Sequence, residues 1–231
     1  MRQDGRKPQD LRPITFQKRF IEHHPGSVLV SFGKTKVLVT ATISNQLPQH
    51  RKEVNKGWLT AEYGMIPGST PDRKARPGNK GQDGRAVEIQ RLIGRALRLA
   101  VDIDKLGPKC IMIDCDVIQA DGGTRTAAIT GAWVALSLLL KQLKLDHLML
   151  RQVAAVSLGV QGDQILTDLN YVEDVDIDTD FNLVACHDGT IIELQGAAEK
   201  VPMKPQVPLD ILRQGLGAIA QICRLQLEAL N

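Results

Sequence analysis

Four consecutive residues, Gly122, Gly123, Thr124 and Arg125, have the types and spacing that best suit chemistry in this chain. They follow an apolar run over 111–118 and precede a long apolar helical pattern over 127–143. Two glycines allow a tight turn with exposed N–H groups, and the N-terminus of the following helix favours an anion. Arg125 adds a planar fork of donors that matches phosphate oxygens. The stretch predicts a phosphate site, although Gly-Gly before a helix is often a turn and nothing more.

Arg85 is the predicted second arm of this phosphate site. It stands at the start of an amphipathic helix predicted over 86–101, whose apolar residues recur at helical spacing. A cation at a helix N-terminus opposes the helix dipole, which indicates another purpose for this arginine. The alternative is an ordinary arginine on a helix surface.

An acidic run over 173–180 is a candidate metal site. If this run is extended, four carboxylates lie on one face: Asp174, Asp176, Asp178 and Asp180. Crowded carboxylates repel one another, and oxygen ligands suit Mg²⁺ or Mn²⁺. Asp114 and Asp116 are further candidates of the same kind. The alternative in both places is a solvated loop or sheet edge.

A basic segment with little periodicity occupies 44–84 and includes Arg73 and Arg76. A long stretch without regular structure is usually functional or mobile, and cations here suit a nucleic-acid backbone. Only Trp58 and Tyr63 are near enough to stack bases, so such binding would depend on phosphate contacts and on salt. The alternative is a solvated loop. The five histidines are scattered, and no Ser/His/Asp or Cys/His pattern competes for catalysis.

Composition bounds the class of protein. The chain has 231 residues, of which 43% are hydrophobic and only 3% aromatic, so an aliphatic core is expected. The net charge of +3 is compatible with a polyanionic partner. The four cysteines lack Cys-x-x-Cys spacing and are expected to be reduced and mostly buried. The polar residues 1–10 show no secretory signal, and the apolar run 127–140 reads as a buried helix, so we expect a cytoplasmic protein without a membrane span.

The pattern of elements predicts an α+β fold with mixed sheets. β-Branched runs at 28–32 and 36–43 flank Gly33-Lys34-Thr35 and predict a hairpin. A helix is predicted over 208–230. Further strands are predicted at 111–118, 153–160, 165–169, 181–186 and 191–195. Each half of the chain has hairpin strands followed by a helix, which hints at a duplicated unit.

Several long motifs closely resemble bacterial ribonuclease PH, and together they cover nearly the whole chain. They are 57–67 (GWLTAEYGMIP), 84–85 (GR) with 88–98 (EIQRLIGRALR), 114–126 (DCDVIQADGGTRT), 168–174 (DLNYVED), 179–182 (TDFN) and 193–196 (ELQG). The resemblance implies a duplicated fold like the second domain of ribosomal protein S5. It also implies one domain over 1–231, with halves of about 1–145 and 146–231.

The same resemblance implies a phosphorolytic 3′→5′ exoribonuclease. Such an enzyme trims the 3′ ends of tRNA precursors, and also of rRNA or other RNA. Inorganic phosphate is the co-substrate, nucleoside diphosphates are released, and nucleotidyl transfer runs in both directions. The family implies a homohexamer built as a trimer of dimers.

The motif matches assign the site residues. Phosphate would be held by Arg85, Gly123, Thr124 and Arg125. Asp174 and Asp180 match an acidic pair associated with Mg²⁺ or Mn²⁺ and with catalysis, and the sequence leaves open whether Asp180 is a metal ligand or a general acid. Arg73 and Arg76 belong to a segment that grips tRNA.

The chain departs from the family in that segment. Gly68 stands where an arginine is usual, Pro77-Gly78 replaces a more helical sequence, and the stretch between Arg76 and Arg85 is one residue shorter. We expect weaker contacts with the RNA backbone and an intact phosphate site.

Two other classes of protein are the alternatives. A catalytically silent RNA-binding ring subunit typically lacks the phosphate-holding arginine or the acidic pair, and this chain keeps both. A nucleotide-dependent kinase would need a phosphate-cradling Gly-x-x-x-x-Gly-Lys-Ser/Thr loop, which is absent from the sequence. Dependence on added phosphate would separate phosphorolysis from hydrolysis.

Overall fold

A computed structural model describes residues 2–52, 56–76 and 83–231. A five-stranded sheet in the order β1-β2-β3-β5-β4 forms in the first half of the chain. Its strands are β1 (Ile14–Lys18), β2 (Ser27–Phe32), β3 (Thr35–Ser44), β4 (Trp58–Met65) and β5 (Cys110–Gln119). Neighbouring strands are antiparallel except β4, which runs parallel to β5. The sheet is therefore mixed, as predicted.

A second, four-stranded antiparallel sheet has the order β7-β6-β8-β9. Its strands are β6 (Val153–Gln161), β7 (Gln164–Thr167), β8 (Thr179–Cys186) and β9 (Ile191–Ala198). The α-helices of the described residues are α1 (Gln49–Lys52), α2 (Gly84–Arg98), α3 (Thr124–Gln142), α4 (Tyr171–Asp176) and α5 (Gln206–Leu230). The fold class is the predicted one, α+β and like the second domain of ribosomal protein S5.

Helix α3 lies in the shared core and contacts strands of both sheets. It is buried on nearly every side, as its continuous apolar pattern predicts. Gly131 lets it approach β2 closely, because a Cβ there would lie 2.5 Å from Cγ1 of Val30. On the other side, Thr130 Oγ1 donates to Ala155 O (3.3 Å) and accepts from Ala155 N (3.1 Å), which fastens the helix to β6. This helix thus fixes the two sheets around one core and carries the Gly-Gly turn at its N-terminus.

The sequence predictions for the other elements have mixed outcomes. The β2–β3 hairpin is confirmed, and Gly33 takes a positive φ of 56° in its turn. On β5, Ile111, Ile113 and Cys115 are buried and the aspartates face away from the core, as expected. The four cysteines are free and buried. No helix of the described ranges is long and apolar enough to span a membrane.

The expectation of an irregular 44–84 segment is wrong in part. Strand β4 occupies its middle, and Leu59, Ala61 and Tyr63 alternate into the core. Flanking prolines, glycines and basic residues mask this short alternation. Strand β1 was not predicted, because it is a largely exposed edge strand with little apolar pattern. The proposed duplication of two halves stays a prediction, although one sheet falls on each side of residue 145.

Candidate active site

A cleft of about 1090 Å³ lies where the two halves of the chain meet. Seven of the predicted site residues line it: Arg73, Arg85, Gly123, Thr124, Arg125, Asp174 and Asp180. The cations come from the first half of the chain and the two aspartates from the second. The structure therefore brings the predicted phosphate site and the predicted acidic pair together.

The Gly-Gly turn forms one wall of the cleft and needs glycine for two reasons. Gly122 and Gly123 both have positive φ, 75° and 63°. A Cβ at Gly122 would lie 2.6 Å from Leu169 O, so this backbone packs directly against the segment that leads into α4. Gly123 is the N-cap of α3 and provides no side-chain acceptor. The first N–H groups of α3 are left for an anion, as at other uncapped helix N-termini.

Buried polar contacts hold the turn from behind. Arg12 Nη1 donates to Asp121 O (2.6 Å), and Thr35 Oγ1 donates to Gly122 O (2.6 Å). Arg12 itself makes a two-pronged pair with Asp168, with Nη2 and Nε 2.7 and 3.0 Å from the carboxylate oxygens. Asp168 is fully buried and Arg12 is 5% exposed. This pair fixes the turn against the second half of the molecule.

The two predicted phosphate arginines differ in their surroundings. Arg85 is the second residue of α2, and the carboxylate of the N-cap Asp83 accepts from Arg85 N (3.1 Å). Its side chain is exposed and has no hydrogen bond or ion pair within the described residues. Arg125 is mostly buried, and its Nη1 donates to Gln195 Oε1 (3.1 Å) and lies 3.5 Å from Glu88 Oε1. One guanidinium is held in place and the other is free to move onto a ligand.

Thr124 presents its hydroxyl beside the turn. Its Oγ1 accepts a hydrogen bond from the buried Tyr63 hydroxyl (2.8 Å), and burial raises the pKa of Tyr63. Because Tyr63 occupies an acceptor site on Oγ1, the Thr124 proton is available to donate to an anion. Tyr63 lies on β4 and was not predicted to support the site.

Asp174 and Asp180 form an acidic pair on the other wall of the cleft. Burial raises the pKa of Asp174, while Arg85 and Arg125 act to lower it. Burial and then the neighbouring Asp174 raise the pKa of Asp180 to about 6. Asn182 Nδ2 donates to Asp180 Oδ2 at 3.4 Å. Neither carboxylate forms an ion pair within the described residues, so the pair carries excess negative charge at neutral pH.

The N-terminal segment fixes the helix that carries Asp174. Asn170 and Glu173 form a capping box at the start of α4. Arg2 lies against Glu173, with Nε 2.6 Å from Oε1, and Arg2 Nη1 donates to Thr167 O (2.7 Å). These contacts are buried, so they set the position of Asp174 relative to the Gly-Gly turn.

The predicted face of four aspartates is wrong. The run is not extended: α4 ends at Asp176, and β8 begins at Thr179. Lys200 Nζ binds Asp176 Oδ1 (2.8 Å) and lowers the pKa of that carboxyl. Asp178 instead accepts from Gly162 N (2.8 Å). The two middle aspartates, Asp176 and Asp178, are therefore separated from Asp174 and Asp180, which line the cleft.

Asp114 and Asp116 lie outside the cleft, on the face of the first sheet that points away from the core. The pKa of each is raised by burial and by the neighbouring Glu62. Within the described part of the chain, no group of three or more His, Cys, Asp or Glu residues is arranged to hold a metal ion.

Asp174 and Asp180 nevertheless fit a divalent cation. Neither carboxylate forms an ion pair within the described residues, although Arg85 and Arg125 lie near enough to act on both, and the pKa of each is raised by burial. Mg²⁺ commonly binds one or two carboxylates and completes its shell with water and substrate phosphates. The residues present thus match the predicted ion, with the remaining ligands coming from outside the chain.

The basic wall of the cleft is partly the predicted one. Arg73 and Lys74 line it, together with Lys200 from the second half. Arg76 is exposed but does not line the cleft. Pro77-Gly78, named above as a departure from the family, lie outside the described residues. A Cβ at the exposed Gly68 would meet nothing within 4 Å, so the space that an arginine needs is present.

Comparison with known proteins identifies the family and the fold of the chain. The model of the RNase PH, 3′ exoribonuclease family, domain 1, matches residues 10–140. Rice (Oryza sativa) Rrp46 superposes with a TM-score of 0.82 at 18% identity, over 100% of both chains. The Archaeoglobus fulgidus exosome with RNA bound to the active site gives 0.82 at 20% identity, over 96% of this chain and 91% of that one. An archaeal exosome core gives 0.77 at 20% identity, over 96% and 90%.

These structures share the fold, and the family model covers more than half of the sequence. The chain therefore belongs to the RNase PH family of 3′ exoribonucleases.

Proposed function

We propose that this protein is a phosphorolytic 3′→5′ exoribonuclease of the bacterial ribonuclease PH type. It would trim the 3′ ends of tRNA precursors, and of rRNA and other RNA, by nucleotidyl transfer to inorganic phosphate. The observation that carries the proposal is the shared cleft of Arg85, Arg125 and the uncapped α3 N-terminus with Asp174 and Asp180. Anion-binding groups and carboxylates of raised pKa face one space.

The first task of the site is to hold phosphate next to another anion. Arg125, the N–H groups at the start of α3 and the Thr124 hydroxyl would bind the phosphate oxygens. The unpaired Arg85 side chain would close onto the same ion. Two arginines and a helix N-terminus offset the repulsion between the nucleophile and the scissile phosphodiester, and they align the attack.

The acidic pair would serve the leaving group. Asp174 and Asp180 would hold Mg²⁺ or Mn²⁺, which when bound neutralises charge on the scissile phosphate and on the leaving oxygen. Alternatively, Asp180, with its pKa of about 6, would donate a proton to that oxygen.

The reaction balances without a histidine base. An oxygen of inorganic phosphate bonds to the terminal phosphorus, and the bond from that phosphorus to the 3′ oxygen of the preceding nucleotide breaks. The attacking hydrogen phosphate loses a proton, the 3′ oxygen gains one directly or by way of Asp180, and a nucleoside 5′-diphosphate leaves. The reverse reaction adds a nucleotide.

RNA would enter along the basic wall. Arg73 and Lys74 line the cleft. Arg76 is exposed outside the cleft, where a longer RNA strand would contact it. The similar structure of the Archaeoglobus fulgidus exosome has RNA bound to its active site, which supports this path. Assembly as a homohexamer and a cytoplasmic location belong to the same proposal by family likeness. A silent ring subunit is disfavoured because Arg85, Arg125 and both aspartates are in the cleft.

The decisive experiment supplies Mg²⁺ and a tRNA with a short 3′ extension, with and without inorganic phosphate, and identifies the released nucleotides. Nucleoside diphosphates released only with phosphate are expected, whereas monophosphates released without it would indicate hydrolysis. Arg85→Ala and Arg125→Ala should abolish phosphate-dependent release while circular dichroism stays unchanged. Near-normal rates at low phosphate in these variants would refute the site assignment.

A short unstructured RNA serves as the second substrate. Cleavage of this RNA without trimming of the tRNA would place the defect in the segment around Gly68. No release from either substrate would favour the silent subunit.

A further inference from the structure

A chain of polar contacts behind the cleft ends on the buried phosphate arginine. Arg125 Nη1 donates to Gln195 Oε1 (3.1 Å), and Gln195 Nε2 donates to Glu193 Oε1 (2.8 Å). Arg95 Nε and Nη2 then donate to Glu193 at 2.7 and 2.9 Å. The chain joins α2 to the start of α3 through the edge strand β9. Gln195, Glu193 and Arg95 are not among the groups proposed to contact phosphate.

The contacts define the orientation of the Gln195 amide. Its oxygen must face the guanidinium and its nitrogen must face the carboxylate, because the reverse orientation would oppose like groups on both sides. Residues 193 and 195 share one face of β9, so the strand places both side chains in line. Arg95 neutralises Glu193 and clamps it with two hydrogen bonds. Gln195 therefore presents a fixed, neutral acceptor to Arg125.

Glu88 competes for the same nitrogen. Its Oε1 lies 3.5 Å from Arg125 Nη1 on the side of α2, and its side chain is 54% exposed. Arg125 Nε and Nη2 have no partner within the described residues, so these two nitrogens remain for an anion. Without Gln195, the charged Glu88 would be the stronger attraction and would draw the flexible guanidinium away from the cleft.

We propose that Gln195 is a positioning residue that holds Arg125 in the phosphate-binding pose, with Glu193 and Arg95 fixing its amide. The inference rests on the proposed function, because inorganic phosphate is the anion concerned. Gln195 does not line the cleft. Substitution of Gln195 should therefore weaken the binding of phosphate and leave the binding of RNA unchanged.

The test measures initial rates against phosphate concentration at saturating short unstructured RNA. In Gln195→Ala the KM for phosphate should rise about tenfold, the size expected for one lost charge-assisted hydrogen bond. The KM for RNA should stay within about twofold, which a general structural defect would not produce. Arg95→Ala should shift the phosphate KM in the same direction and less. Arg91→Ala is the matched control, since Arg91 lies one turn earlier on α2 and has no hydrogen bond or ion pair among the described residues.

A second change distinguishes positioning from simple loss of packing. Adding Glu88→Gln to Gln195→Ala removes the competing charge and should recover a large part of the phosphate affinity. Glu88→Gln alone should be close to wild type. Failure of the double variant to recover, or equal rises of KM for phosphate and RNA in Gln195→Ala, would overturn the inference.

Calorimetric binding of inorganic phosphate without RNA separates this inference from the proposed function. Phosphate binding without phosphate-dependent turnover would refute the proposed exoribonuclease function. The phosphate affinities of the same variants would still test the role of Gln195. Wild-type phosphate KM and affinity in Gln195→Ala would refute the inference alone. Absence of phosphate binding by the wild type would refute both.

Discussion

Asp180→Asn should stabilise the metal-free protein while removing its activity. The pKa of Asp180 is raised from 3.8 to about 6, so the folded state resists ionisation by about 2 pKa units. At about 1.4 kcal/mol per unit, this corresponds to at most about 3 kcal/mol of lost stability at pH 8. Because solvent reaches the cleft and screens part of the charge, we expect asparagine to recover about 1–2 kcal/mol of the free energy of unfolding. The new amide keeps an oxygen that can accept from Asn182.

The pH dependence has a definite sign. A folded-state pKa above the unfolded value means that the folded protein binds the extra proton, so wild-type stability falls as pH rises from about 4 to 6. The difference in free energy of unfolding between Asp180→Asn and the wild type should grow from about pH 4 to 6 and level off above pH 7. Urea unfolding in EDTA at fixed protein concentration, at several pH values between 4.5 and 8, measures it.

Asp176→Asn is the matched control for this experiment. Lys200 lowers the pKa of Asp176, so its substitution should weaken the fold slightly at pH 8 instead of strengthening it. A destabilised Asp180→Asn variant, or a gain in stability that is the same at pH 4.5 and pH 8, would show that the Asp180 charge is already compensated. Added Mg²⁺ should then raise the unfolding midpoint of the wild type more than that of Asp180→Asn, if the carboxylate is a ligand.

Three further outcomes are expected. Gly68→Arg, which has open space at its Cβ, should tighten tRNA binding and steepen the slope of log affinity against log salt by about one unit; an unchanged slope in filter-binding titrations would contradict a role in backbone contact. Arg12→Met should lower the free energy of unfolding in urea by about 3 kcal/mol, because the buried carboxylate of Asp168 then lacks its main cation. A loss below about 1 kcal/mol would refute the role of this ion pair in joining the two halves. If Asp180 is a metal ligand, kcat/KM should fall as pH drops below about 6, and a higher Mg²⁺ concentration should shift this fall to lower pH. A fall of kcat/KM as pH rises above about 6 would instead identify Asp180 as the general acid.

Local sequence signals were sufficient for the turn that we propose binds phosphate. Gly122 and Gly123 both have positive φ, and Arg125 follows them in the first turn of α3. These are properties of adjacent residues, so a single stretch of sequence predicts them. The long apolar pattern of α3 was readable for the same reason.

The acidic run shows how one local pattern can hide another. Aspartates at every second position suggested a strand, but Asn170 and Glu173 have capping-box spacing and indicate the start of a helix. The capping signal was present in the sequence and would have given the correct structure. It also shows why only Asp174 of the first three aspartates reaches the cleft, since a helical turn points the next one elsewhere.

The partners of the site residues had no local signal at all. Arg12 and Asp168 are 156 positions apart, and Arg125 and Gln195 are 70 apart. Such pairs exist only because α3 packs between two sheets and places the end of β7 beside the Gly-Gly turn. Composition and periodicity describe each element alone and leave these contacts undetermined.

The site lies where the two halves of the chain meet. The groups proposed to bind phosphate come from the first half of the chain and the carboxylates Asp174 and Asp180 from the second, so neither half holds a complete set. Chemistry in the cleft therefore depends on the distance between Asp174 and the Gly-Gly turn. The buried Arg12–Asp168 pair joins the two halves directly behind the turn, and a Cβ at Gly122 would clash with the segment that leads into α4. The contacts that stabilise the joined halves would thus also set the spacing between the proposed phosphate nucleophile and the leaving group. A substitution there should lower activity before it unfolds the chain, because a small shift in that spacing misaligns the attack while most of the shared core remains packed.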